Sequence, residues 1–187
     1  MPEQLLRALA EVFSWSEESG YEAALIGGVA VGLLGPVRPT DDVDIVIITT
    51  DSPDTVFESL EEAGFEPRYK DAVEFALASR TLLMRHTGTA VPVDVVLGML
   101  PFEMESMRRS VQRVIQGQSV RLFPAESLCV MKLIAGRPQD LRDVALLVET
   151  YPDLDRSWIN EQLSQYAVLM EDPDALDRAR RLISPSE

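Results

Sequence analysis

Apolar positions fall at helical spacing over residues 2–19, where Leu5, Leu6, Leu9, Val12 and Phe13 share a face and Gly20 ends the run. A short apolar strand follows at residues 23–26. The next stretch, GGVAVGLLG from Gly27 to Gly35, is too small and glycine-rich for a second strand. It predicts a short helix packed closely on a sheet. Residues 42–48 carry the unbroken apolar tail of a buried strand. Ser52 before Pro53 is an N-cap with proline at the first helical position, opening a helix to about Ala63. Residues 74–78 and 81–86 read as two short strands with a tight connection, and VPVDVVL at 91–97 as another strand. Residues 101–110 predict a helix, and 111–115 with 120–123 a hairpin around Gly117. From Pro124 the periodicity is helical throughout: 125–135, 139–150, 156–170 and 173–183, with Asp155 and Asp172 at N-cap positions. The expected class is therefore α+β, a mixed sheet with flanking helices over 1–123 and a helical C-terminal part over 124–187.

Composition narrows the functional classes. The 187 residues are 46% hydrophobic and 26% charged, enough apolar material for a real core in one domain with at most a small appendage. The single cysteine, Cys129, excludes an internal disulfide framework and suits a reducing cytoplasm, where a small core thiol is expected. The N-terminal MPEQLLRALAEVF lacks a basic leader before an uninterrupted apolar stretch, and no segment is long and apolar enough to span a membrane, so no membrane partner is expected. A net charge of −14 opposes broad binding to nucleic acid phosphates but leaves room for a local basic patch. Residues 101–125 hold such a patch, with Arg108, Arg109, Arg113 and Arg121 against Glu103 and Glu105.

The candidate chemistry lies in GPVRPTDDVDIVII, Gly35 to Ile48, which places three aspartates where a buried strand begins. Strand alternation puts Asp42 and Asp44 on one face, about 7 Å apart, and Asp41, Val43, Ile45 and Ile47 on the other. Two carboxylates so spaced suit Mg²⁺, which is commonly held by one or two carboxylates, waters and substrate phosphates. VPVDVVL repeats the pattern: Asp94 interrupts the face opposite Val91, Val93, Val95 and Leu97. A carboxylate inside a valine-rich strand is costly unless paired or bound to a cation. If the two strands are neighbours, three carboxylates converge. Upstream, Gly27-Gly28 closes a strand and opens a helix, so backbone can approach a phosphate beside free N–H donors. Arg38 lies between, placed to clamp phosphate. The single His86 excludes a histidine-based metal site, and neither a G-x-G-x-x-G nor a P-loop spacing is present.

The run LIGGVAVGLLGPVRPTDDVDIVI resembles the signature of the nucleotidyltransferase superfamily with the DNA polymerase β fold: a glycine turn, a spacer, Asp-x-Asp on a strand and a third acid on a later strand. The finer resemblance is to minimal nucleotidyltransferases of the AbiEii/AbiGii toxin type, through Gly27, Gly28, Ala30, Gly35, Arg38, Thr40, Asp42 and Asp44. A second run, SLCVMKLIAGRPQDLRDVALL, matches at Lys132, Ala135, Arg137, Asp140 and Asp143. The resemblance covers roughly residues 23–147. It implies transfer of a nucleoside monophosphate from a nucleoside triphosphate to an acceptor hydroxyl with loss of pyrophosphate, in a toxin–antitoxin type setting with a possible protein partner. Asp42, Asp44 and Asp94 would be the catalytic and metal-binding residues, with one or two Mg²⁺ ions. Gly27, Gly28, Arg38, Thr40 and Lys132 would bind the nucleotide. The acceptor would be a small molecule, a protein or an RNA end docked at Arg108, Arg109 and Arg113. On the residues alone, Lys132 also reads as a helix lysine that snorkels to water, and Asp140 and Asp143 as salt-bridge partners of Arg137 or Arg142. Two rival readings stand beside the enzyme: a non-catalytic, antitoxin-like or regulatory protein of the same fold, and a nucleic-acid-binding module, which the acidic composition disfavours.

Overall fold

The computed structural model describes residues 1–35, 39–166 and 175–183. Two compact units emerge, Met1–Ala30 with Arg38–Phe123, and Val31–Val37 with Pro124–Glu187.

The first unit is built on a seven-stranded mixed sheet. Its helices are α1 (Glu3–Glu18), α3 (Pro53–Glu62), α4 (Ala72–Ser79) and α5 (Pro101–Arg108), joined by the first turn of α2 (Gly27–Leu34). The strands are β1 (Glu22–Ile26), β2 (Val43–Ile48), β3 (Phe65–Pro67), β4 (Thr81–His86), β5 (Pro92–Gly98), β6 (Val111–Ile115) and β7 (Gln118–Leu122), in the order β3-β4-β5-β2-β1-β7-β6. The central pair β2 and β5 is parallel, flanked by antiparallel β1 and β4. This order follows from composition. Both central strands are rich in Val and Ile, and Val43, Ile45, Ile47, Val93 and Val95 are fully buried on one face. α1 buries Leu5, Leu9, Val12 and Phe13 and packs on β1 and β2; Gly20, at φ +76, turns the chain into β1. Ser52 caps α3 by accepting from the Thr55 amide at 3.2 Å, with Pro53 behind it.

One expectation needs correction. Residues 74–78 form no strand; they lie in α4, where Ala72 and Ala76 are buried one turn apart and Arg80, at φ 58, closes the helix. Short apolar runs do not separate helix from strand by periodicity, and the alanines favour helix. The edge position beside β4 is taken instead by β3, a three-residue strand too short to carry a pattern.

The second unit is helical. It contains α6 (Ala125–Ala135), α7 (Pro138–Thr150), α8 (Arg156–Tyr166) and α9 (Ala175–Ile183), with α6 packed on α7 and α8, and α9 on the same two helices. Gly136, in the left-handed region at φ 65, ends α6, and Asp155 caps α8 by accepting from the Trp158 amide at 2.9 Å. Tyr151 Oη donates to the Leu34 carbonyl at 2.7 Å. Cys129 is buried in α6, and burial pushes its thiol up to about 12, so it is inert core. The expected cap at Asp172, the continuation of α8 to residue 170 and the start of α9 at 173 lie outside the described residues. Among the described residues, no helix is long and apolar enough to cross a membrane.

Candidate active site

Strand register assembles the site. Asp44 on β2 stands opposite Asp94 on β5 in the parallel pair, so the two carboxylates are side by side on one face. Neighbouring strands lie about 4.8 Å apart, so the two residues are immediate lateral neighbours in the sheet. Asp42, just before β2, keeps to the same face and is half-buried, whereas Asp41 is exposed. Thr40 Oγ1 donates to Asp42 Oδ1 at 2.6 Å and fixes that carboxylate. On the other side β1 pairs Ile26 with Asp44, which delivers Gly27 directly against the aspartate.

Gly27 is required twice over. Its φ is +66, and a Cβ there would stand 1.8 Å from Asp44 Oδ2 and 2.7 Å from Asp44 Cβ. Only a bare Cα lets the first turn of α2 meet the Asp44 carboxylate. Gly27→Ala therefore should lower stability by about 2 kcal/mol or more, from left-handed strain plus displacement of Asp44. Thermal unfolding with and without nucleotide measures it, and an unchanged midpoint with full activity would contradict the placement. Gly28 follows as a buried residue of the same helix turn.

The residue missed in the sequence is Arg68. Its amide donates to the Leu83 carbonyl at 3.0 Å, just beyond the last β3–β4 pair, and Leu83 stands opposite Asp94. Arg68, Leu83, Asp94, Asp44 and Ile26 thus form one row across five strands or their ends. The guanidinium reaches over β4, and its Nη2 donates to Asp94 Oδ1 in an ion pair. Burial pushes the Asp94 carboxyl above its ordinary value; Arg68 opposes the rise and the charge of Asp42 adds to it. Nothing in GFEPRYK marks Arg68, because its partner is 26 residues away and the strand that presents it is three residues long.

The remaining expected site residues fall as follows. Arg38 lies outside the described residues. Lys132, on α6 of the second unit, is 7% exposed, with Nζ 3.1 Å from Asp140 Oδ1 and 2.7 Å from Asp143 Oδ2. It does not snorkel to water. Arg137 Nε also donates to Asp140, at 2.5 Å, and Gln139 to Asp143 at 2.9 Å. Of the basic patch, Arg108 pairs with Glu105 at 2.7 Å and Arg121 with Glu22 at 3.2 Å. Arg113 lies on β6, the sheet edge four strands from β5, about 19 Å at normal strand spacing. His86 is spent on Glu11 and Thr89, each at 2.7 Å.

Among the described residues, no group of three His, Cys, Asp or Glu side chains is placed to hold a metal ion by itself. The donor chemistry nevertheless fits Mg²⁺ completed by substrate: Asp42 and Asp44 share a face beside the Gly27 turn, which packs its bare Cα against Asp44, and Mg²⁺ usually takes only one or two carboxylates from a protein.

A mixed sheet that sets aspartates of two adjacent central strands beside a glycine turn opening a helix defines a nucleotidyltransferase, and solved structures agree on the fold. An antigenic nucleotidyltransferase-like protein from Paracoccidioides brasiliensis superposes with a TM-score of 0.54 at 19% identity, over 97% of this chain and 94% of that one. The solution structure of the antibiotic-resistance factor ANT(2'')-Ia gives 0.62 at 15% identity, over 90% and 96%. Its crystal structure in complex with adenylyl-2"-tobramycin gives 0.54 at 14%, over 87% and 96%. Residues 7–184 match the family described as nucleotidyl transferase AbiEii toxin, type IV TA system, and the chain belongs to that family. A search of curated proteins finds no match.

Proposed function

We propose that this nucleotidyltransferase moves a nucleoside monophosphate from a nucleoside triphosphate to an acceptor hydroxyl, with Mg²⁺ held at Asp42 and Asp44 and pyrophosphate released. The observation that carries this reading is the in-register pair Asp44–Asp94, with Gly27 against Asp44. Bound there, the cation would neutralise triphosphate charge and stabilise the charge that builds on the leaving group. The backbone of Gly27 and Gly28 offers amide donors to the terminal phosphates at the start of α2. Thr40 keeps Asp42 aimed. Asp94 spends Oδ1 on Arg68, so Oδ2 is the oxygen that takes the acceptor hydroxyl's proton. Burial raises its affinity for a proton, the direction a general base requires. Lys132 remains a nucleotide-binding candidate only if it exchanges its bonds to Asp140 and Asp143 for phosphate.

The acceptor belongs to one of three classes: a small molecule, a protein or a single RNA end. Arg108 and Arg109 are the arginines of the basic patch that follow β5 most directly. As a toxin-family enzyme, the protein acts in the cytoplasm on a cellular acceptor and is countered by a partner. Incubation with each labelled nucleoside triphosphate and Mg²⁺ in a lysate, followed by identification of the labelled species, tests the reading. Absence of label from all four nucleotides, with the protein folded, would favour a non-catalytic member of the fold.

Mg²⁺ and the correct nucleoside triphosphate should together raise the unfolding midpoint by more than the sum of their separate shifts. Phosphate oxygens complete a coordination shell that two carboxylates leave open. Strictly additive shifts would remove the shared site.

A further inference from the structure

We infer that Arg68 occupies the place of a second cation at Asp94, so that this site takes one divalent ion and not two. The inference rests on the function proposed above. Two-metal sites hold their ions about 3.5–4 Å apart and need carboxylates that bridge or flank both. Here the third carboxylate is already engaged: Arg68 donates to Asp94 Oδ1, from a backbone position locked by its amide bond to Leu83. The pair is not a loose surface contact. The Arg68 side chain is 21% exposed and that of Asp94 26%, and Arg68 Nε is buried with no hydrogen-bond partner among the described residues. Leaving a buried N–H unbonded is unfavourable, and the charge attraction to Asp94 offsets it. A guanidinium stays protonated at any working pH, so the positive charge is permanent. A divalent ion placed between Asp94 and Asp44 would face that charge at close range.

The row Arg68–Leu83–Asp94–Asp44 gives each group a separate task. Arg68 fixes and neutralises Asp94, and Asp42 and Asp44 hold the metal. Arg68 is thus a positioning residue, acting through Asp94 and not on the nucleotide.

The test counts bound Mn²⁺ by electron paramagnetic resonance and equilibrium dialysis. It uses the full chain saturated in turn with each α,β-methylene nucleoside triphosphate, which cannot turn over. Wild type should hold one Mn²⁺ per chain in the nucleotide complex. Arg68→Lys, which keeps the charge, should also hold one; Arg68→Met should hold two. Asp94→Asn should leave the wild-type count at one. Two ions on wild type overturn the inference while leaving the nucleotidyltransferase reading intact. One ion on folded Arg68→Met overturns it as well. No ion on any variant overturns the functional reading itself. If Arg68→Met does not fold, the counts on wild type, Arg68→Lys and Asp94→Asn still decide, because loss of the ion on Asp94→Asn would make Asp94 a required ligand.

Discussion

Asp44→Asn should abolish nucleotidyl transfer while the chain stays folded, and Asp42→Asn should do the same. Each change keeps side-chain size but removes a negative charge that the proposed cation would need as a ligand. The expected loss is on the order of 10³-fold, about 4 kcal/mol of barrier. Asp44 lies at the centre of the arrangement, with Asp94 beside it on β5 and Gly27 against its carboxylate. The valine and isoleucine side chains on the opposite face of β2 hold the strand regardless of this substitution. Turnover with labelled nucleotide, measured alongside thermal unfolding, separates lost chemistry from lost structure. Wild-type turnover in either variant with an unchanged midpoint would remove these residues from the site.

Lys132→Met should destabilise the protein by about 3–5 kcal/mol, the usual effect of stripping one partner from a buried ionic group. The lysine bridges Asp140, 3% exposed, and Asp143, 0% exposed, between α6 and α7. Burial pushes the Asp140 carboxyl up, but Arg137 and Lys132 together hold it below its ordinary value of 3.8. A carboxyl depressed in the folded state contributes stability that is present above its unfolded pKa. That contribution is lost as pH falls through the folded value, so wild type should weaken below about pH 4. Denaturant titrations of wild type and Lys132→Met across that range measure both effects. A Lys132→Met variant as stable as wild type but defective in nucleotide binding would move the lysine from a structural to a ligand-binding role.

The parts of the fold that the sequence disclosed are those where one local signal sufficed. The apolar face of α1, the Ser52-Pro53 start of α3, the valine-rich β5 and the hairpin around Gly117 each show in a window of a few residues. The pairing of Asp44 with Asp94 was legible only conditionally, because alternation gives the face of a strand but not its neighbour. α4 was misread because AVEFALAS satisfies either periodicity over so short a length. Arg68 was invisible for a different reason: its significance arises from where a three-residue edge strand docks, and that depends on the whole sheet. Lys132 shows the same limit. Its place in a motif suggested a ligand, yet only the packing of α6 against α7 discloses the two carboxylates it joins.

The row that assembles the candidate site also bears on when the proposed activity would arise as the chain folds. Arg68, Leu83, Asp94 and Asp44 come from four separate stretches of chain, brought together solely by lateral strand pairing. Such non-local contacts form late, after the entropy of closing the intervening loops has been overcome. A partly made or partly folded chain therefore carries all the acidic residues of the Asp-x-Asp run and none of their collective chemistry. If the proposed transfer is the activity, this order of assembly would delay it, and recovery of transfer on refolding should trail the recovery of helical signal.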